Sequence, residues 1–223
     1  MSEQITAAFS FLKELKENNN REWFNENKPN YEKHKNVIKS VFEEVQKKME
    51  FHDEIEKLKI FRIYRDVRFS KNKTPYKTHF SCSFVRRGRE RRGGYYLHLE
   101  PENSFMASGF WNPSKEDLLR IRQEIAADPD EFKEVIDHSD LKKFWDRLQG
   151  DALKKAPKGF SPDQKGIEFI RFKQFVFIKK LDLEQVLDSN FSVEVSHGFK
   201  TLSVFFNYMS DVLTTDVNGQ SLL

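Results

Sequence analysis

Six cations crowd one twenty-residue stretch, FRIYRDVRFSKNKTPYKTHF at positions 61–80. They are Arg62, Arg65, Arg68, Lys71, Lys73 and Lys77, and Asp66 is the one acid among them. Guanidinium groups bind phosphate or carboxylate through a planar fork of donors, often bidentately. An Asp66 held between arginines stays ionised and orients them. Lys73, Tyr76 and Lys77 follow on a turn or loop and are placed to close over a bound anion. His79 and His98 titrate near neutral pH, so either could act as acid or base. The ligand-binding set expected from these residues is Arg62, Arg65, Asp66, Arg68, Lys73, Tyr76, Lys77 and Tyr96. Asp66, His79 and His98 are the candidate catalytic groups of a hydrolase-type alternative. A third reading makes the Arg62/Asp66/Arg68 group a set of internal sheet ties in a structural or protein-interaction domain.

These side chains act together only if strands bring them to one side. From Ile60 the apolar period changes to two, which predicts strands over Ile60–Phe69, His79–Arg87, Gly94–Glu100 and Phe105–Phe110. SKNKTPYKT is a turn or loop, because Pro75 cannot donate to a ladder. GRERRGG and PENS read as hairpin loops. Pairing Arg87 with Gly94 puts His79, Ser81 and Ser83 on one face with Tyr96, His98 and Glu100. The other face carries Phe80, Cys82 and Phe84 with Tyr95, Leu97 and Leu99. A one-residue slip would invert every side chain, so this pattern constrains the pairing. On the first strand Phe61, Ile63, Val67 and Phe69 join the apolar face. Arg62, Tyr64, Asp66 and Arg68 join the polar one. Arg65 is a misfit that faces the core unless a bulge turns it outward.

Helices flank this segment. Ile5, Ala8, Phe9, Leu12 and Leu15 make a helical stripe. NNNREWF breaks it and starts a short second helix, and KPNYEKHKNVIKSVFEEVQKKMEF is a third. After the meander, Ser114 and Asp128 are N-caps, with Pro129 at the first helical position. Ser161 and Pro162 open another helix, KQFVFIKKL is a fifth strand, Asp182 caps a short helix, and 192–213 is helical. The expected architecture is one α+β domain over residues 1–223. It has an antiparallel sheet of four to five strands, a meander at about 60–110, and helices from the N- and C-terminal parts packed on one face.

Composition sets the outer limits. The chain has 223 residues, 33% charged, with 22 Phe to build a core and a single cysteine, Cys82, which excludes an internal disulfide. No signal-peptide pattern and no membrane-length apolar run is present, so a cytoplasmic protein without a membrane partner is expected. Net charge is +3, but residues 60–94 hold eleven Lys or Arg against two acids, a local +9 that leaves −6 for the remainder. Positive potential is therefore concentrated, and an anionic ligand, nucleic acid included, is the expected partner. RRGRERRGG could grip a phosphate backbone, although it also reads as a solvated hairpin tip. Trp111 could stack on a base, or simply pack a strand–helix junction. The histidines show no close metal-ligand spacing, so no metal site is expected. The common nucleotide-loop and nucleophile-elbow motifs are absent, and no cofactor is indicated.

The segments FLKELKENNNREWF, FRIYRDVRFSKNKTPYKTHF, GYYLHLEPENSFMASGFWNP, LLRIRQEI and KKAPKGF together resemble a family of conserved bacterial proteins classed as a domain of unknown function. The resemblance marks Arg62, Arg65, Asp66, Arg68, Phe69, Lys73, Pro75, Tyr76 and Lys77. Members often carry a His-Pro pair after PKGF, where this chain has SPDQKG. The resemblance implies no activity.

Overall fold

A computed structural model describes residues 1–216 and 218–223. The described helices are α1 (Ser2–Glu17), α2 (Arg21–Met49), α3 (Lys115–Ala127), α4 (Pro129–Ile136), α5 (Ser139–Trp145), α6 (Ile167–Ile170), α7 (Leu183–Leu187), α8 (Phe191–Thr201) and α9 (Ser203–Thr214). The strands are β1 (Ile55–Ile60), β2 (Phe80–Arg86), β3 (Gly94–Leu99), β4 (Ser104–Phe110) and β5 (Phe175–Leu181). They form one antiparallel sheet in the order β1-β2-β3-β4-β5. The fold is therefore α+β, with a meander through β4 and a fifth strand added after the middle helices.

Local chemistry accounts for the helix ends. The Asn20 side chain accepts from the Trp23 amide, Ser114 from Asp117 and Asp128 from Glu131. Asp182 and Gln185 form a reciprocal capping box. Two helical expectations change. The predicted second and third helices are one, α2, which runs through Pro29. A proline forfeits only its own amide bond and strains one turn. The buried stripe of Phe24, Tyr31, Ile38, Val41, Phe42, Val45 and Met49 outweighs that loss. The helix expected from Ser161 is instead a set of turns, and α6 begins only at Ile167 after Gly166 in the left-handed region.

The chain forms two compact units. The first comprises Met1–Val85, Tyr96–Met106 and Lys179–His197. In it α1 packs on α2, and Tyr31 of α2 stacks on Phe80 of β2 with ring centroids 6.1 Å apart. The second comprises Arg86–Tyr95, Ala107–Ile178 and Gly198–Leu223, with Phe132, Trp145, Phe175, Phe177, Phe199, Phe205 and Phe206 fully buried. The Trp145 indole N–H donates to the Gly198 carbonyl and to Thr201 Oγ1, so this large ring is buried without an orphaned donor. Gly109, at φ +132°, lets β4 approach β5, since a Cβ there would lie 2.2 Å from the Phe175 carbonyl oxygen.

The first strand departs from expectation. It ends at Ile60, and residues 61–79 fold back on themselves as a loop. A lone antiparallel bridge joins Tyr64 and Tyr76, the Arg65 amide donates to the Pro75 carbonyl, and Lys77 donates to Ile63. Asp66 accepts from the Arg68 amide two residues on, and Asn72 from the Thr74 amide, so side chains replace the ladder bonds that a strand would make. The apolar alternation of 61–69 misleads because it is only half used. Ile63 is buried, while Phe69 is 96% exposed.

Candidate functional site

The loop 61–79 is held from below. Both the amide and the carbonyl of Tyr76 bond to the side chain of Asn19, at 3.1 and 3.0 Å. The Tyr76 ring is buried and stacks on Phe24 of α2 at 4.0 Å. Tyr76 is thus the anchor of the loop. Burial pushes its phenol up, and its ring faces Phe24 and Tyr64. The NNN run of the sequence therefore does more than end a helix, because Asn19 pins the loop and Asn20 caps α2.

Above this anchor the predicted cations divide into two sets. Arg68 makes a bidentate pair with Asp66, Nε to Oδ1 at 3.0 Å and a terminal nitrogen to Oδ2 at 2.7 Å. These bonds, aided by nearby Arg62, hold the Asp66 carboxyl below its ordinary range. The Arg65 guanidinium donates to Thr74 Oγ1, and the Lys73 ammonium to the Val67 carbonyl at 2.9 Å. Arg65, the expected misfit, meets no strand face at all and braces the loop. Arg62 and Lys77 form the second set. Neither has a salt-bridge partner among the described residues. Lys77 is half-buried, with its ammonium 5.5 Å from the Phe61 ring centre. Burial first, and then the charge of Arg62, lower its pKa. Two cations thus act on each other beside the sheet, one of them partly stripped of water.

The polar sheet face begins where this loop rejoins β2. The His79 and His98 rings lie 4.0 Å apart, and Tyr96 is hydrogen-bonded to the Ser81 side chain. His79 therefore sits beside His98, and Ser81 beside Tyr96. Tyr96, His98 and Glu100 therefore share a face with His79 and Ser81, as the period-two alternation requires. Phe61 is corrected more sharply. Its ring lies 6.0 Å from Tyr96, on the polar side, and Phe105 stacks on His98 at 4.6 Å.

On this face the hydrogen bonds form a chain. The Tyr96 hydroxyl contacts His98 Nδ1 at 3.1 Å, and His98 Nε2 contacts Glu100 Oε2 at 3.1 Å. Thr78 Oγ1 donates to Glu100 Oε1 at 2.6 Å, and Asn103 Nδ2 donates to Oε2 at 3.1 Å. Burial alone would raise the Glu100 carboxyl, but the bonds from Thr78, His98 and Asn103 outweigh it and the group stays below its ordinary range. Burial lowers His98 despite Glu100. Burial, with His98 next, pushes His79 down to about 4. At neutral pH the ladder is therefore two neutral imidazoles and one carboxylate. With Glu100 ionised, His98 Nε2–H donates to it and Nδ1 accepts from Tyr96. A cleft of ≈ 440 Å³ lined by Thr78, Glu100, Pro101 and Glu102, with Leu12, Lys13, Lys16 and Glu17 of α1, adjoins the carboxylate.

Glu100 stands in contact with His98, whereas Asp66 is engaged by Arg68. Glu100, Thr78, Asn103 and Asn19 are not among the site residues expected from the sequence. The first had a signal: HLE at 98–100 puts an imidazole and a carboxylate two apart on a strand, hence on one face. Elsewhere the basic hairpin tip is largely tied up. Arg92 pairs with Asp117 at 2.6 Å, and Arg86 is buried over the Phe206 ring and donates to the Arg92 carbonyl. Trp111 is 43% exposed.

A family model described as "Conserved hypothetical protein (DUF2461)" matches residues 7–208. Neither the curated proteins nor the solved structures contain a match to the chain.

Proposed function

The chain belongs to the DUF2461 family of conserved hypothetical proteins, and we propose that it is a binding module for a phosphate- or carboxylate-bearing ligand, nucleic acid included. The ligand seats against Arg62 and Lys77, where loop 61–79 rejoins the sheet. The observation that carries this is the half-burial of Lys77 next to Arg62 with no acidic partner among the described residues. Partial desolvation of an ammonium, plus a like charge, is unfavourable in the free protein, and an anion relieves both. Arg65, Arg68 and Lys73 are already satisfied by loop partners, so they shape the loop, with Tyr76 as its anchor. Tyr96 borders the seat through Phe61.

Titration calorimetry with inorganic phosphate tests this. Arg62→Ala and Lys77→Ala, singly, are each expected to weaken binding by a factor of about 10 to 150, the cost of losing a charge-assisted hydrogen bond of roughly 1.5–3 kcal/mol. Arg68→Ala, which removes a guanidinium already held by Asp66, is expected to change it less. Equal phosphate affinity in wild type and in the Arg62→Ala/Lys77→Ala pair would refute the proposal.

A second reading, a hydrolase-type enzyme, is favoured by the 3.1 Å contact between His98 and a carboxylate. Here Glu100 stands where the sequence reading put Asp66, as the carboxylate used with His79 or His98. Turnover of an aryl phosphate or ester that is lost in Glu100→Gln supports it, and absence of turnover across both substrate types removes it.

A further inference from the structure

The geometry points to a divalent-metal site of the zinc class formed by His79, His98 and Glu100. It goes beyond the anion reading and does not rest on it, since none of the three is among the cations used there. One nitrogen from each imidazole and one carboxylate oxygen all lie within 4.8 Å of one another. A metal about 2.0–2.1 Å from two ligands at a tetrahedral angle keeps those ligands about 3.3 Å apart. His98 Nε2 and Glu100 Oε2 are 3.1 Å apart, so this edge of the polyhedron already exists. The part-exposed His79 supplies the third corner after a small ring rotation.

The surroundings fit ligation as well as the donors do. Ligating histidines usually donate their other ring N–H to an oxygen, and ligating carboxylates are themselves hydrogen-bonded. Tyr96 O stands 3.1 Å from His98 Nδ1, Thr78 holds Glu100 Oε1 at 2.6 Å, and Oε2 faces His98 Nε2 while accepting from Asn103 Nδ2. When a metal takes Nε2, the ring keeps one proton by carrying it on Nδ1. Nδ1–H then donates to Tyr96 O, whose own hydrogen turns toward Ser81. Phe105 stacks on His98 and limits its rotation. Two neutral imidazoles and one carboxylate leave a dication with net positive charge and an open fourth position. Glu100 also lines the adjoining cleft, which gives a metal-bound water or ligand room beside the carboxylate. Nitrogen and oxygen donors without thiolate suit zinc and its first-row neighbours better than magnesium or calcium.

The test is Zn²⁺ titration of the full chain after EDTA treatment, followed calorimetrically, with Co²⁺ as the spectroscopic substitute. One equivalent of Zn²⁺ is expected, and Co²⁺ should show visible bands of a four-coordinate nitrogen/oxygen site without thiolate charge transfer. Glu100→Gln and His79→Gln should each weaken Zn²⁺ about tenfold or more, and Tyr96→Phe should weaken it measurably as a positioning residue. His52→Gln, whose ring contacts Ser196 at 3.0 Å, should leave it unchanged. Three results overturn the site: no saturable uptake by the wild-type chain, a thiolate band that places the metal at Cys82, or affinity unaltered in both Glu100→Gln and His79→Gln. The wild-type stoichiometry and Co²⁺ spectrum decide the matter even where a variant fails to fold.

Discussion

His79 carries the clearest single-residue consequence. Burial, then the neighbouring His98, hold its pKa at about 4 against an ordinary 6.5, while Glu100 pulls upward and Lys77 downward. The folded imidazole is therefore harder to protonate than the unfolded one. Its contribution to stability is complete above 6.5 and is lost as pH falls from 6.5 toward 4. The urea midpoint of the metal-free chain should drop across that window, and His79→Gln should flatten the drop. A midpoint equally steep in both proteins would show that the loss comes from other groups. Glu100 works in the same acidic direction, since its folded carboxyl is also depressed.

Between residue and fold stands the loop 61–79, an element defined by what holds it. Its two backbone bonds to Asn19 and the Phe24–Tyr76 stack replace the ladder it lacks. Asn19→Ala removes both bonds and leaves buried main-chain groups to find water. That should cost roughly 1–3 kcal/mol, measured by chemical denaturation. The same variant should weaken phosphate binding, because Lys77 directly follows the anchored residue. Full stability in Asn19→Ala would mean that the stack alone fixes the loop. Arg62→Ala, by contrast, removes an exposed side chain with no salt bridge among the described residues. It should move stability by no more than about 0.5 kcal/mol, which separates a ligand group from a sheet tie.

At the scale of the whole chain, charge is the quantity that matters. The local +9 of residues 60–94 already counts Asp66 and Glu90. Asp117, outside that segment, pairs with Arg92, and Arg86 is buried against the Phe206 ring. Of the cations left on loop 61–79 and the hairpin tip, Arg62 and the half-buried Lys77 are the pair that the anion reading uses. Heparin retention should therefore be modest and fall steeply with salt. It should shorten in the Arg62→Ala/Lys77→Ala pair and stay nearly constant in Arg89→Ala at the tip. The opposite ranking would move the anionic surface to the hairpin.

Helix caps, the α+β class, the antiparallel meander and the two-sided character of β2 and β3 were all legible in the chain. Each depends on interactions within a few residues or on a period of two. The alternation of FSCSF and YYLHL assigns faces, but it is satisfied equally by any even displacement, so it could not choose the partner of His98. Turn geometry and the packing of neighbouring strands make that choice. The excursion at Phe61 was hidden for a related reason: its apolar alternation resembles a strand, and only Asn19, forty-two positions upstream, shows that the segment is pinned as a loop. His79 and Glu100 meet because two strands run side by side. Residue types and faces are thus written locally, whereas the meeting of distant side chains is settled by long-range pairing, where many local solutions are equivalent and burial selects one.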